Sequence, residues 1–231
     1  MFAVIDRDLI KEKQYKESLH VLFSFPRSGS HWTRRMVGEV LGMRYGFRAE
    51  FGEELNKDCG FFGRYINDDD FEVRPQLVAT HAEGGYPKDN LRIFLRRDFE
   101  QVWRSTQKAQ IELGYAKNKD GSLSDELNCW WGGTREECFE KWKKTTDFGC
   151  THAKLVVDYD MTKADPRTTV KAIIQAMGLE PATEEELDAA VQAGSRENML
   201  KEQNNNCEDR HWNIVNSENY DPIKDAGVAS T

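Results

Sequence analysis

The sequence predicts an α/β protein, a three-layer, mostly parallel sheet flanked by helices. Three observations carry that prediction. Short β-rich apolar runs alternate with stretches of helical period from residue 19 to about residue 200. The runs are apolar almost throughout, as strands buried on both faces are. No internal repeat and no linker interrupts the 231 residues, a length that one core can serve. The expectation is a single domain over 1–231, with its core at about 19–200 and an irregular polar tail at 204–231.

Taken in order, the first run, LHVLFSF (19–25), is a strand that stops at Pro26. Trp32, Met36, Val37, Val40 and Leu41 then share one stripe of a helix. From Gly42 to Arg74 the chain is rich in glycine, aromatics and acid, has no clear period, and reads as irregular. PQLVATH (75–81) and LRIFLRR (91–97) are two more buried strands, joined by the loop AEGGYPKDN. Asp98 with Gln101 makes a capping-box pattern, and Phe99, Val102, Trp103 and Thr106 give the helix behind it its inward face. A polar loop, KNKDGSLSDELN, precedes a helix over 135–146, and AKLVVDY (153–159) is the fourth strand. Asp165-Pro166 opens a helix carrying Val170, Ile173, Ile174 and Met177, which Gly178 ends. Thr183 with Glu186 caps another, ended by Gly194.

Charge narrows the function. With 32 Lys and Arg against 40 Asp and Glu, the formal net charge is −8. That balance argues against broad nucleic-acid or anionic-membrane binding, both of which need basic surface. A local basic cluster in such a background serves one small anion. No apolar run reaches membrane-span length, and the first residues lack the apolar centre of a secretory signal. The five cysteines (Cys59, Cys129, Cys138, Cys150, Cys207) form no C-x-x-C pair, which points to thiols in a reducing compartment and to a cytoplasmic protein. His20, His31, His152 and His211 make no ligand motif with His81, so no metal is expected.

Ligands of open parallel sheets bind beyond the carboxyl ends of the strands. Three segments fall there: PRSGSHW after the first strand, THAEGG after the second and RRDF after the third. The first has the character of a phosphate-binding loop. Small residues let backbone amides turn toward an anion, and the following helix adds its positive end. Arg27 supplies fixed charge, while Ser28 and Ser30 supply hydroxyls. It departs from the nucleoside-triphosphatase pattern G-x-x-x-x-G-K-S/T, because Ser24 stands at the first glycine and Ser30 at the lysine. The plainer alternative is a turn in which Ser30 caps a helix. His81 ends its strand where an imidazole takes a proton from a substrate hydroxyl, or else bonds a loop carbonyl. Arg97 and Ser105, eight residues apart, suit a second phosphate through a planar fork and a hydroxyl. The alternative there is a solvated helix face with Arg97 paired to Glu100 or Glu112. Trp32 and Trp103 have core spacing, and Trp32 also lies near enough to the loop to stack on a purine.

Together these residues resemble the sulfotransferase family that uses 3′-phosphoadenosine 5′-phosphosulfate (PAPS). FPRSGSHW matches the family's 5′-phosphosulfate loop, RRDFEQVWRS its 3′-phosphate element, and Thr80-His81 its catalytic Thr-His. LVVDYDMTKADPRTTVKAIIQAMGLE resembles its later strand, acidic turn and following helix. The resemblance implies a P-loop-like sulfotransferase architecture and transfer of a sulfuryl group from PAPS to a hydroxyl or amine. It implies that Arg27, Ser28, Gly29, Ser30 and His31 cradle the 5′-phosphosulfate, that Trp32 packs near the adenine, and that Arg97 and Ser105 hold the 3′-phosphate. His81 is then the general base, Arg27 stabilises charge on the leaving oxygen, and no metal takes part. The partner implied is a small-molecule, glycan or lipid hydroxyl acceptor. The chain departs from the family pattern at His31, where a second loop hydroxyl is usual, and at Ala79, where a lysine often stands. It also lacks a clear copy of the C-terminal Arg-Lys-Gly segment, for which Arg210 is a weak substitute. A P-loop-like nucleotide kinase and a catalytically degenerate nucleotide-binding or interaction module are the competing readings. The acceptor pocket is expected from 42–74, 112–132 and the tail.

Overall fold

A computed structural model describes residues 19–45, 75–81, 83, 88–112 and 133–199. The expected tail at 204–231 and most of the acceptor-side segments lie outside these residues.

Four strands form one sheet in the order β2-β1-β3-β4: β1 (Leu19–Ser24), β2 (Gln76–Thr80), β3 (Leu91–Arg96) and β4 (Leu155–Asp158). Every neighbouring pair is parallel. The expectation of an α/β sheet flanked by helices therefore holds. Because Val21, Leu22, Phe23, Phe94 and Leu95 are all buried, the central strands carry apolar side chains on both faces. Helix α1 (Ser30–Tyr45) follows β1; α2 (Phe99–Glu112) and α3 (Arg135–His152) lie between β3 and β4 in sequence. Three short helices follow β4: α4 (Tyr159–Ala164), α5 (Pro166–Ala176) and α6 (Glu184–Ala193), and residues 196–199 turn helical again at the end of the described chain.

Alternation along the strands divides the core into layers. Leu22, Leu77, Ala79, Ile93, Leu95 and Val157 face α1, α5 and α6, meeting Met36, Val40, Ile173 and Leu187. On the other face Val21, Phe23, Val78 and Phe94 meet Phe148 of α3. A third cluster of Phe25, Phe99, Val102, Trp103 and Cys138 joins α2 to α3 at the carboxyl edge of the sheet.

Local signals explain most boundaries. Thr134 and Thr183 each form a reciprocal capping box with a glutamate three residues on. Asp165 accepts from the Thr168 amide ahead of Pro166, the first residue of α5. Three boundaries depart from expectation. Helix α1 runs past Gly42 to Tyr45, because Arg44 anchors its last turn on Glu186 and on the carbonyls of Glu180 and Pro181. Helix α3 extends beyond residue 146 to His152, with Gly149 lying against the Phe94 ring. Strand β4 stops at Asp158, and Tyr159 opens a helix of six residues, too short to show a helical period.

Candidate functional site

Parallel strands bring their carboxyl ends to one side, and the order of this sheet sets what stands beside what. His81 follows β2, Phe25–Gly29 follow β1, Arg97 follows β3 and Tyr159 follows β4, so they form a row in that order. The chain leaves β1 toward β2 and returns to β3 on the opposite side. The topological switch point therefore falls between the β1 loop and Arg97.

The loop is wound tightly. Arg27 has φ +68° and Gly29 has φ +91°, both in the left-handed region. At Gly29 a side chain is excluded twice, by that angle and by the Tyr159 ring, whose Cδ2 lies 2.9 Å from where a Cβ would stand. The Gly29 carbonyl accepts from the Thr33 amide at 3.0 Å and so closes the first turn of α1. Ser30 is thus the first residue inside the helix, not its cap, and its amide belongs to the donor-rich end. The Ser28 hydroxyl is buried and bonds nothing, a state that buried polar atoms rarely keep without a partner to come.

Arg27 and Arg97 are drawn together. Arg97 Nη1 donates to the Arg27 carbonyl at 2.7 Å, and Arg27 Nε donates to Ser105 Oγ at 3.2 Å. The Arg97 guanidinium lies 4.0 Å from the Tyr159 ring centre and donates through Nε to Gln101 Oε1 at 3.2 Å. Burial, with the Arg27 charge beside it, lowers its pKa from the usual arginine value. Glu100, a partner considered for Arg97 from sequence, is bound instead by Arg135. Gln101 also departs from its expected capping role. Its backbone N–H donates to the Asp98 carboxylate at 3.2 Å, but its side chain bridges Arg97 to the Asp160 carboxylate, 3.0 Å from Nε2.

On the other side of the loop, His81 Nδ1 lies 2.7 Å from the Ser24 carbonyl. A carbonyl only accepts, so Nδ1 carries the proton and Nε2 the lone pair. Burial holds this imidazole's pKa down to about 4. His31, at the start of α1, has Nδ1 2.9 Å from Arg34 Nη2, and burial together with Arg34 keeps its pKa well below the ordinary value. Glu83, beyond His81, lies 3.5 Å from Lys144 Nζ. Trp32 sits in the core beneath the row, its indole N–H donating to the Gly194 carbonyl at 2.9 Å and its ring edge-on to Tyr159.

The row thus unites Arg27, Ser28, Gly29, Arg97, Ser105 and His81, while Trp32 lies deeper. Sequence reasoning does not assign Tyr159, Gln101 or Arg34 to the site. Tyr159 is buried with its hydroxyl unbonded and its pKa raised to about 12, chiefly by burial. Its signal is its place as first residue after a strand, which a strand extended through residue 159 conceals.

No family model matches the sequence, and no curated protein matches it. Among solved structures, the chain is similar to mouse sulfotransferase SULT7A1 complexed with PAP, with 15% identity over 96% of this chain and 83% of that chain and a TM-score of 0.49. Among the described residues no helix is long and apolar enough to cross a membrane, and no group of His, Cys, Asp or Glu has the arrangement of a metal site.

Proposed function

We propose that this chain is a PAPS-dependent sulfotransferase acting on a hydroxyl-bearing acceptor. The observation that carries the reading is the pairing of Arg27 with Arg97 across the switch point, beside a histidine whose lone pair is on Nε2. The Arg97 guanidinium is held on the Arg27 backbone, near enough for the Arg27 charge to lower its pKa, and two like charges brought this near make sense as a site for a polyanion. The unbonded hydroxyls of Ser28 and Tyr159 are donors of the kind such an anion satisfies.

On this reading the loop amides, Arg27, Ser28 and Ser30 bind the 5′-phosphosulfate, and Arg97 with Ser105 binds the 3′-phosphate. PAPS supplies the sulfuryl group. His81 Nε2 takes the acceptor's proton as the acceptor oxygen bonds to sulfur in line with the breaking bond to phosphate. Arg27 and the amides hold the charge on the departing phosphate oxygen. Their dipoles and charge are already aimed before reaction, so no reorganisation is needed as that charge develops. Arginine stays protonated, so Arg27 contributes charge and hydrogen bonds and no proton transfer. Thiols at Cys138 and Cys150, which form no disulfide, suit a cytoplasmic setting.

Calorimetric titration with PAPS, 3′,5′-adenosine bisphosphate and ATP tests the nucleotide. Mass detection of an added sulfonate across an acceptor library tests the transfer. Preference for the bisphosphate over ATP with turnover is expected. ATP preference would make the chain a kinase, and tight bisphosphate binding without turnover would make it a binding module.

A further inference from the structure

The two histidines of the site are held by opposite kinds of partner. His81 Nδ1 meets a carbonyl, which only accepts. His31 Nδ1 meets the guanidinium of Arg34, which only donates. Arg34 lies three residues after His31 on the same face of α1 and is 1% exposed, so its head group is held by the surrounding core. A water or hydroxyl in its place is able to exchange donor and acceptor roles, and the imidazole is then able to flip its proton. Arginine has no acceptor atom and does not lose its charge.

We propose that Arg34 is a positioning residue that locks the His31 proton on Nε2 and so makes His31 a hydrogen-bond donor to the anion held by the β1–α1 loop. This rests on the anion-binding reading of that loop. The groups around His31 include Arg34 on its own helix, His81 after β2 and Arg27 in the loop. Between them, a neutral imidazole presenting N–H meets an oxyanion favourably. The same ring presenting its lone pair repels the oxyanion and leaves the pocket one donor short. The site then holds two imidazoles of opposite polarity: His81 receives a proton, and His31 offers a hydrogen bond without giving one up. His31, in the first turn of α1 just after the loop, thus stands in for a hydroxyl donor.

The test is the tautomer itself, read in the ligand-free full chain by long-range proton–nitrogen correlation of imidazole-labelled histidines at pH 7. His31→Gln and His81→Gln assign the signals. The expected spectrum shows His31 protonated on Nε2 and His81 on Nδ1. Arg34→Met should release His31 into mixed tautomers or partial protonation, while Arg34→Lys, which keeps a donor-only partner, should retain the lock. Affinity for 3′,5′-adenosine bisphosphate should fall by the same factor in Arg34→Met and His31→Gln, and no further in the double variant, because the two act as one unit. His31 protonated on Nδ1 in the unaltered protein would overturn the proposal without reference to any ligand. So would an unchanged tautomer in Arg34→Met, or additive losses in the double variant. If Arg34→Met does not fold, the unaltered protein and Arg34→Lys still decide it through the spectrum. A correct tautomer in a protein that ignores the bisphosphate would instead count against the sulfotransferase reading, and binding of inorganic pyrophosphate would then show whether the loop takes an anion at all.

Discussion

At Arg97 three restraints fix one guanidinium: the Arg27 carbonyl, the Gln101 side-chain oxygen and the face of Tyr159. On the proposed reading, such a clamped fork takes one phosphate in one place. Arg97→Ala is expected to weaken 3′,5′-adenosine bisphosphate by about 1.5–3 kcal/mol, the range for a charged hydrogen bond, and adenosine 5′-phosphosulfate much less, as calorimetry would record. For His81 the expectation is kinetic. His81→Ala should lower turnover by about 10²–10⁴-fold with bisphosphate affinity near that of the unaltered protein. Because the base must be unprotonated and burial holds its pKa near 4, turnover should fall as pH drops through about 4, well below the usual histidine range. Full activity in His81→Ala with turnover lost in Glu83→Gln would transfer the base to that carboxylate. Arg27 is also a backbone outlier, and a non-glycine residue at positive φ costs about 1–2 kcal/mol. Arg27→Gly should therefore be more stable than Arg27→Ala in denaturant, while both lose turnover. Arg27, His81 and Arg97 are legible in sequence because each follows a strand. Arg34 is not, since a charged residue inside a helix reads as surface until its burial is known.

Among the elements, α6 is the one whose attachment is most sharply defined. Gly194, just past its end, has the φ of a right-handed residue, so its smallness serves contact and not a left-handed turn. A Cβ there would stand 2.5 Å from Met36 Cγ and 2.9 Å from Trp32 Nε1. Gly194→Ala should push α6 from α1 and cost about 1–3 kcal/mol, the usual range for overpacking, measured as a lower denaturation midpoint at unchanged slope. Sequence alone shows that Gly194 ends a helix and leaves its second duty hidden, because close approach is a property of two elements. The other boundaries follow the same rule. Caps at Thr183 and Asp165 are local and therefore readable. The last turn of α1 depends on Glu186, 142 residues away from Arg44, and is not.

In the molecule as a whole, β1 has buried imidazoles at both ends: His20 near its amino end, and His81 and His31 beyond its carboxyl end. His20 is buried with neither ring nitrogen bonded, and burial, aided by Arg92 and Lys154, lowers its pKa to about 4. Between about 4 and 6.5 the unfolded chain binds the proton that the folded chain refuses, so stability falls as pH drops through that window, by about 3 kcal/mol at most. His81 adds a loss of the same sign over the same window, so His20→Leu should lessen the acid loss without abolishing it and should raise stability at neutral pH, as urea titrations at pH 7 and pH 5 would show.

The sheet order has a last consequence, in time. The contacts that build the site join residues far apart in the chain: Ser24 to His81 across 57 positions, Arg27 to Ser105 across 78 and Trp32 to Gly194 across 162. Parallel pairing of this range is slow, since long loops close before any contact rewards them. A growing chain on the ribosome thus carries the β1–α1 loop, His81 and Arg97 well before Tyr159 and Gly194 exist to support them. Nucleotide binding should appear only in the final kinetic phase of refolding, which would make the ligand a reporter of completed synthesis.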